Sequence, residues 1–305
     1  MADFPQFICA GEALTDMLRT GSNQWQSLVG GSTWNVARSL AKLGLSTGFA
    51  GAISQDVFGD ALCAASAEAQ LDLRLLQRFN KSPLLAIVAE TNPPKYFFIG
   101  SDSADLHFAP NKLPLGWDAN LVWAHFGGIS LARQPLSATL LALAKKLKQQ
   151  GVKISYDPNF RNLMDARYDA TLRSMCMLAD VIKVSDEDLQ GLFRTDDTDA
   201  AFSKLRSFNP HAIVLYTRGA AGASLHVADQ SWQATPPEIT VIDSIGAGDA
   251  SIAGLLYSLH SAPKRDWQDH LHFSVASGAA ACLAAGAQAP SVTQVQALFE
   301  QFPTH

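Results

Sequence analysis

Short apolar runs alternate along this chain with longer amphipathic ones, and that rhythm constrains the fold more than any other feature. QFICAGE (6–12), LVWAHF (121–126), VKISYD (152–157), DVIKV (180–184) and AIVLYT (212–217) are brief, and several end in a polar residue. Runs of this kind read as strands buried on both faces of a sheet. Between them the spacing predicts helices. From Pro135 to Gln150, Pro stands in the first turn, Leu136, Leu140, Leu143 and Leu147 form one stripe, and Gly151 stops it. Ser32-Thr33 opens another helix over Asn35 to Leu43, ended by Gly44. Such alternation implies an α/β fold: a mostly parallel sheet flanked by helices on both faces. Ligands of such sheets bind beyond the carboxyl ends of the strands, where Asp157, Ser185 and Thr217 fall. One region breaks the rhythm. LLAIVAE (84–90), the turn residues Asn92-Pro93-Pro94, and KYFFIG (95–100) read as a hairpin, an accessory flap.

The chain has 305 residues, 48% hydrophobic and 17% charged, enough for a substantial core and against disorder. The formal charge is −5 and Lys/Arg clusters are small, which argues against nucleic acid and anionic membrane as partners. Cys9, Cys63, Cys176 and Cys282 are scattered and form no CxxC, so a reducing cytoplasm explains them better than disulfides or zinc. The start, MADFPQFICAGE, has no basic region leading into a long apolar run, and no uninterrupted apolar stretch is long enough to span a bilayer. A soluble cytoplasmic protein is expected, with residues 1–305 in a single domain.

VIDSIGAGDASIAG (241–254) is the stretch that points to chemistry. It reads as strand, small-residue turn, then a helix beginning near Gly248. The first amides of a helix lack internal partners and carry the positive end of its dipole. Gly246, Ala247 and Gly248 leave those amides uncovered, so an anion can approach the backbone. Asp249 stands beside that anion hole with no basic side chain nearby in sequence. A carboxylate next to an anion hole suits phosphoryl transfer to a hydroxyl, although an ordinary helix start reads the same way. Asp243 reads equally as a turn residue.

Other segments fit the same chemistry, each with a plainer alternative. Thr217 to Gly222 (TRGAAG) suits a phosphate or base, and equally a tight hairpin turn. Gly30-Gly31 precede a helix with Asn35 near its start, an amide able to donate to and accept from hydroxyls. Asp157-Pro158-Asn159-Phe160-Arg161 closes a buried strand with a guanidinium fork suited to phosphate or carboxylate.

Together these segments resemble the ribokinase-like, or PfkB-type, sugar kinases, and among them the bacterial fructokinases, over about Ile8 to Pro290. The most specific motif is Asp243-Ser244-Ile245-Gly246-Ala247-Gly248-Asp249, similar to the family's D-T-x-G-A-G-D. Gly30-Gly31 with Asn35, Lys183-x-Ser185-x-x-Asp188 and Thr217-x-Gly219-x-x-Gly222 follow in the family's order. The resemblance implies Asp249 as catalytic base and Gly246 to Gly248 as the γ-phosphate hole. It implies Ser185, Thr217, Gly219 and Gly222 at ATP, with Asp16, Gly31 and Asn35 holding sugar hydroxyls and Arg161 near the sugar or phosphates. It further implies Mg²⁺ carried with ATP and contacted through water by Asp188. Asp243 stands where some members bind a monovalent cation such as K⁺. A small β-sheet lid from segments near 12–30 and 84–110, often used for a homodimer, is also implied. Departures accompany the match: Asp188 is shorter than the usual Glu, Ser244 replaces Thr, and Trp34 stands where relatives carry a small residue. Trp34 either narrows the sugar pocket or packs into the core.

The acceptor is expected to be a neutral sugar. Relatives acting on 2-keto-3-deoxygluconate place an Arg on the lid, where Gly100 or Ser101 stands here, and the neighbouring Asp102 repels a carboxylate. Trp34, Phe97 and Phe98 keep a nucleoside acceptor open. A dinucleotide oxidoreductase lacks its G-x-G-x-x-G after the first strand, Walker A is absent, and a silent sugar-binding descendant has no need of the acid.

Overall fold

A computed structural model describes residues 3–91 and 94–303. In chain order these form β1 (Phe7–Ala10), β2 (Leu14–Arg19), β3 (Trp25–Gly30), α1 (Ser32–Lys42), β4 (Thr47–Ser54), α2 (Val57–Glu68), β5 (Leu76–Phe79), β6 (Leu85–Thr91) and β7 (Pro94–Ile99). There follow β8 (Trp123–Gly127), α3 (Leu136–Gln149), β9 (Lys153–Asp157), α4 (Asp169–Leu178), β10 (Val181–Ser185), α5 (Asp186–Phe193) and α6 (Thr198–Phe208). The last part holds β11 (Ile213–Thr217), β12 (Ala223–Val227), β13 (Gln230–Ala234), α7 (Ala247–Ser261), α8 (Trp267–Ala281) and α9 (Val292–Phe299).

Nine strands make one sheet in the order β13-β12-β11-β10-β9-β8-β1-β4-β5. Every pairing from β11 to β5 is parallel, and β12 is antiparallel to both its neighbours. This is the ribokinase-like α/β architecture. Alternate residues along each central strand feed two cores, as period-two geometry requires. Ile8, Ala124, Phe126, Ile154, Tyr156 and Ile182 belong to one core with residues of α3 to α6. Phe7, Cys9, Trp123, Val181 and Leu215 belong to the other with residues of α1, α7 and α8.

A separate four-stranded sheet, β3-β2-β6-β7, is formed by residues 14–30 and 85–99. In it β2 pairs antiparallel with β3 and parallel with β6, and β6 and β7 form the hairpin, with Leu85 opposite Ile99 and Ile87 opposite Phe97. Asn92 and Pro93 of the expected turn lie outside the described residues.

Two elements differ from the sequence reading. Val241 and Ile242 form no strand: they are 58% and 63% exposed, and the Ile242 amide donates to the Cys282 carbonyl at the end of α8 instead of to a sheet neighbour. Conversely β4 is buried at all eight positions, yet TGFAGAIS spells it mainly with small residues. Its Gly51 has no room for a side chain: a Cβ there would stand 2.5 Å from the Phe49 ring.

The helix pair α7 and α8 packs through small residues. A Cβ on Gly254 would stand 2.1 Å from Ser277 Oγ, and one on Gly278 would stand 2.2 Å from Ser251 Oγ. Ser274 Oγ also donates to the Ser251 carbonyl at 2.9 Å.

Candidate active site

The carboxyl ends of β9, β10 and β11 and the start of α7 meet in one place. Helix α7 begins at Ala247, capped by Gly246 in the left-handed region (φ 81°). That conformation favours glycine, and a Cβ there would also be crowded, 3.1 Å from Ala287 Cα. Gly246, Ala247 and Gly248 are partly exposed. The Ala247 amide donates to the Ser244 carbonyl, and the next two amides occupy the first helical turn, where no intrahelical acceptor exists.

Asp249 follows them and is 6% exposed. Ser32 Oγ donates to its Oδ1 at 2.8 Å and Asn35 Nδ2 donates to its Oδ2 at 2.9 Å. Burial raises its pKa above the ordinary aspartate value, while Asn35, Ser32, Lys183 and Arg161 oppose the rise. The missing cationic neighbours are thus supplied from distant sequence. Because Asn35 points its amide nitrogen at the carboxylate, its Oδ1 is buried without a hydrogen-bond partner.

Gly31 caps α1 with φ 115°, and a Cβ on it would lie 2.7 Å from the Glu12 carbonyl oxygen. That close approach carries the chain from β3 straight into the helix bearing Ser32 and Asn35. Asp16 on β2 lies against Gly30, where an added Cβ would meet its Oδ2 at 2.3 Å. Burial lifts Asp16 to about 6, and Arg161 pulls it back down. Arg161 donates to Asn159 Oδ1 at 2.5 Å and to the Phe160 carbonyl at 2.7 Å, and its charge acts on both Asp16 and Asp249. Asp16, Gly31, Asn35, Arg161 and Asp249 therefore share one neighbourhood.

Ser185 and Thr217 sit opposite each other at the ends of β10 and β11. The TRGAAG segment is a turn between antiparallel strands, with the Arg218 amide donating to the Gly222 carbonyl. Gly219 (φ 53°) faces open space, whereas a Cβ on Gly222 (φ 93°) would lie 2.1 Å from the Ala234 carbonyl oxygen. Ser185 caps α5 by accepting the Asp188 amide. Asp188 is buried, and its carboxylate accepts the amides of Phe160 at 2.7 Å and Ser185 at 2.8 Å. These hydrogen bonds and Lys183 hold its pKa below the ordinary value against the cost of burial. Asp243 bridges two loops, accepting the Ile245 amide at 3.0 Å and the Gly286 amide at 2.8 Å.

Lys183, to which the motif assigns no role, lies at the centre of the site. It is 5% exposed; its Nζ lies 3.2 Å from Asp157 Oδ2 and 3.5 Å from Asp188 Oδ2. A Cβ on Gly248 would stand 3.2 Å from the same Nζ, so the ammonium lies directly beside the start of α7. Burial pushes Asp157 up to about 7 despite Lys183, and Asp188 and Asp249 add to the rise. The available signal was a lysine inside the apolar run DVIKV.

Of the two readings of Trp34, the structure bears out the core, and the expectation around Gly100 is corrected. Trp34 is fully buried, donates Nε1 to Ser66 Oγ at 2.9 Å and lies under the Arg38 guanidinium, so it packs into the core. The vicinity of Gly100 does hold a cation. Arg133 donates to the Gly100 carbonyl and pairs with the buried Asp105. Asp102 faces Lys81 and His107, each at 2.6 Å, so its charge is compensated at the surface.

A parallel α/β sheet with a separate small sheet, and an acid at a glycine-bounded helix start, defines a ribokinase-like kinase. The pfkB family carbohydrate kinase profile matches residues 7–294, and the chain belongs to that family. It is an ATP-dependent carbohydrate kinase. It is similar to a fructokinase of Klebsiella pneumoniae, 31% identical over 82% of each chain. Among solved structures, a fructokinase of Xylella fastidiosa with bound ATP superposes with a TM-score of 0.85 at 26% identity, covering 98% of this chain and 99% of that one. A double-mutant fructokinase of Vibrio cholerae with fructose, ADP and potassium bound gives 0.83 at 27% identity, covering 98% and 100%.

Proposed function

We propose that this protein is a fructokinase-like enzyme that moves the ATP γ-phosphate to a hydroxyl of a neutral sugar, with Asp249 as general base. The observation that carries the reading is the α1–α7 contact: Asp249 is held by Asn35, whose own Oδ1 is left as a buried acceptor without a donor. A sugar hydroxyl supplies that donor, and Asp16 and Gly31 line the same approach. Asp249 accepts the proton of the attacking hydroxyl. The start of α7 at Gly246 to Gly248, where the Gly248 amide has no intrahelical acceptor while that of Ala247 donates to the Ser244 carbonyl, holds the charge spreading over the transferred group. Arg161 neutralises charge between sugar and phosphate, and Ser185, Thr217, Gly219 and Gly222 line the nucleotide side.

The negative neighbourhood of Asp16, Asp157 and Asp249 disfavours an acidic sugar, and Arg133 is already committed to Asp105. Both oxygens of Asp188 already accept backbone amides, which suits contact with ATP-borne Mg²⁺ through water rather than directly. Asp243 and neighbouring loop carbonyls suit a monovalent cation, in keeping with the potassium named for the Vibrio cholerae structure. The small sheet acts as a lid over the acceptor. The four cysteines are all unpaired, which fits a cytoplasmic setting.

The test is ADP release over a panel containing D-fructose, 2-keto-3-deoxygluconate and a purine riboside, for the wild type and D249N. Fructose is expected to lead, with D249N slower by roughly two to four decades at little change in ATP affinity. Preference for the acid sugar or the riboside refutes the substrate assignment, and near-normal turnover by D249N refutes the base.

A further inference from the structure

The carboxylate of Asp249 is gripped from α1 at two points, by Asn35 and by Ser32. Ser32 Oγ donates to Oδ1 at 2.8 Å. Ser32 is the first residue of α1, and the helix is capped by Gly31 with no side-chain cap bond. Standing one residue past the cap, its hydroxyl is not spent on the helix end. It reaches across to α7 instead. Ser32 is partly exposed while Asn35 and Asp249 are buried, so the Ser32 contact lies on the open side of the carboxylate.

We propose that Ser32 is a positioning residue for phosphoryl transfer: its hydroxyl, reaching from α1 to α7, fixes Oδ1 of Asp249. The inference rests on Asp249 being the base. A carboxylate accepts about four hydrogen bonds, so Ser32 and Asn35 pin both oxygens and still leave lone pairs for an incoming hydroxyl. Without Ser32 the group keeps one anchor and turns more freely. The charged and titratable groups facing Asp249 are Lys183 from β10 and Arg161 from the loop after β9, which favour the ion. Asp157 at the end of β9 and Cys9 on β1 also face it, and the charge of Asp249 pushes both of them up rather than the reverse. Against that background a donor hydrogen bond to the ionised form lowers the pH at which the base becomes competent.

The experiment is the pH dependence of kcat/KM for ATP-driven phosphorylation of D-fructose by the wild type, S32A and S32T. S32A is expected to move the acid limb up by about one pH unit, the scale of one hydrogen bond to a charged group. S32T keeps a hydroxyl and is expected to bring the limb back. A ¹³C NMR titration of the Asp249 carboxyl, without nucleotide, should show the same displacement and needs no turnover. An unmoved limb and titration in S32A, with D249N inactive, overturn the role of Ser32 and leave the base standing. If the wild type phosphorylates no fructose, the kinase assignment to that sugar fails, and the NMR titration alone still decides on Ser32.

Discussion

Replacing Lys183 with Met should destabilise the protein in a pH-dependent way whose shape follows from Asp157. Asp157 has no exposed surface, and its nearest cation is Lys183 Nζ at 3.2 Å. In the folded wild type burial pushes its pKa up to about 7, against an ordinary aspartate value of 3.8. An acid with a raised folded pKa binds more protons folded than unfolded between those two values. Its contribution to stability falls as pH rises through that window and levels off above the folded pKa. Without the ammonium the folded pKa rises further, so in K183M the fall continues past pH 7. Below about 7 both proteins hold the proton, and the difference between them is constant, set mainly by the lost contact with Asp188. Above it the difference should grow by about 1.4 kcal/mol per pH unit, reaching roughly 3 kcal/mol two units higher, within the usual cost of breaking a buried ion pair. Urea unfolding of both proteins from about pH 6 to about pH 9 measures this, with D157N/K183M as the control in which the slope disappears. A difference that stays flat across that range refutes the assignment of Asp157 as the buried, lysine-dependent acid.

Arg161→Ala should raise KM for the sugar by about tenfold, the scale of one charge-assisted contact, with urea stability almost unchanged. Loss of folding would instead make Arg161 a structural brace of its own loop. The small sheet exposes Phe97 and Ile99 on alternate positions of β7, with Trp25 on β3, at 53%, 51% and 44%. We propose that this surface joins two copies of the chain, so that sedimentation velocity finds a wild-type dimer and a Phe97→Asp monomer, and a wild-type monomer at micromolar concentration refutes it.

The parallel sheet was legible because strands buried on both faces are written as unbroken apolar runs, as at DVIKV and AIVLYT. β4 escaped because its packing demands small residues at Gly48, Ala50, Gly51 and Ala52, which carry little strand signal. Val241-Ile242 misled for the opposite reason: apolar and β-branched, yet exposed and outside any strand. The glycine-bounded start of α7 was readable, since only small residues permit that close approach. Which side chains converge on Asp249 was not. Ser32, Asn35 and Lys183 come from α1 and β10, and sequence periodicity says nothing about pairs so far apart. Trp34 shows the limit on the other side, because its bulk was visible in the sequence but its direction was not.

The glycine-serine seam between α7 and α8 fixes how closely the two helices lie. With Gly254 seated on Ser277 and Gly278 on Ser251, a side chain at either glycine has no space. Gly254 lies on the same helix as Asp249, more than one turn further along. On the proposed reading of Asp249 as the base, a larger residue at Gly254 is expected to push α7 away from α8 and lower turnover, which makes this seam a remote control point for activity.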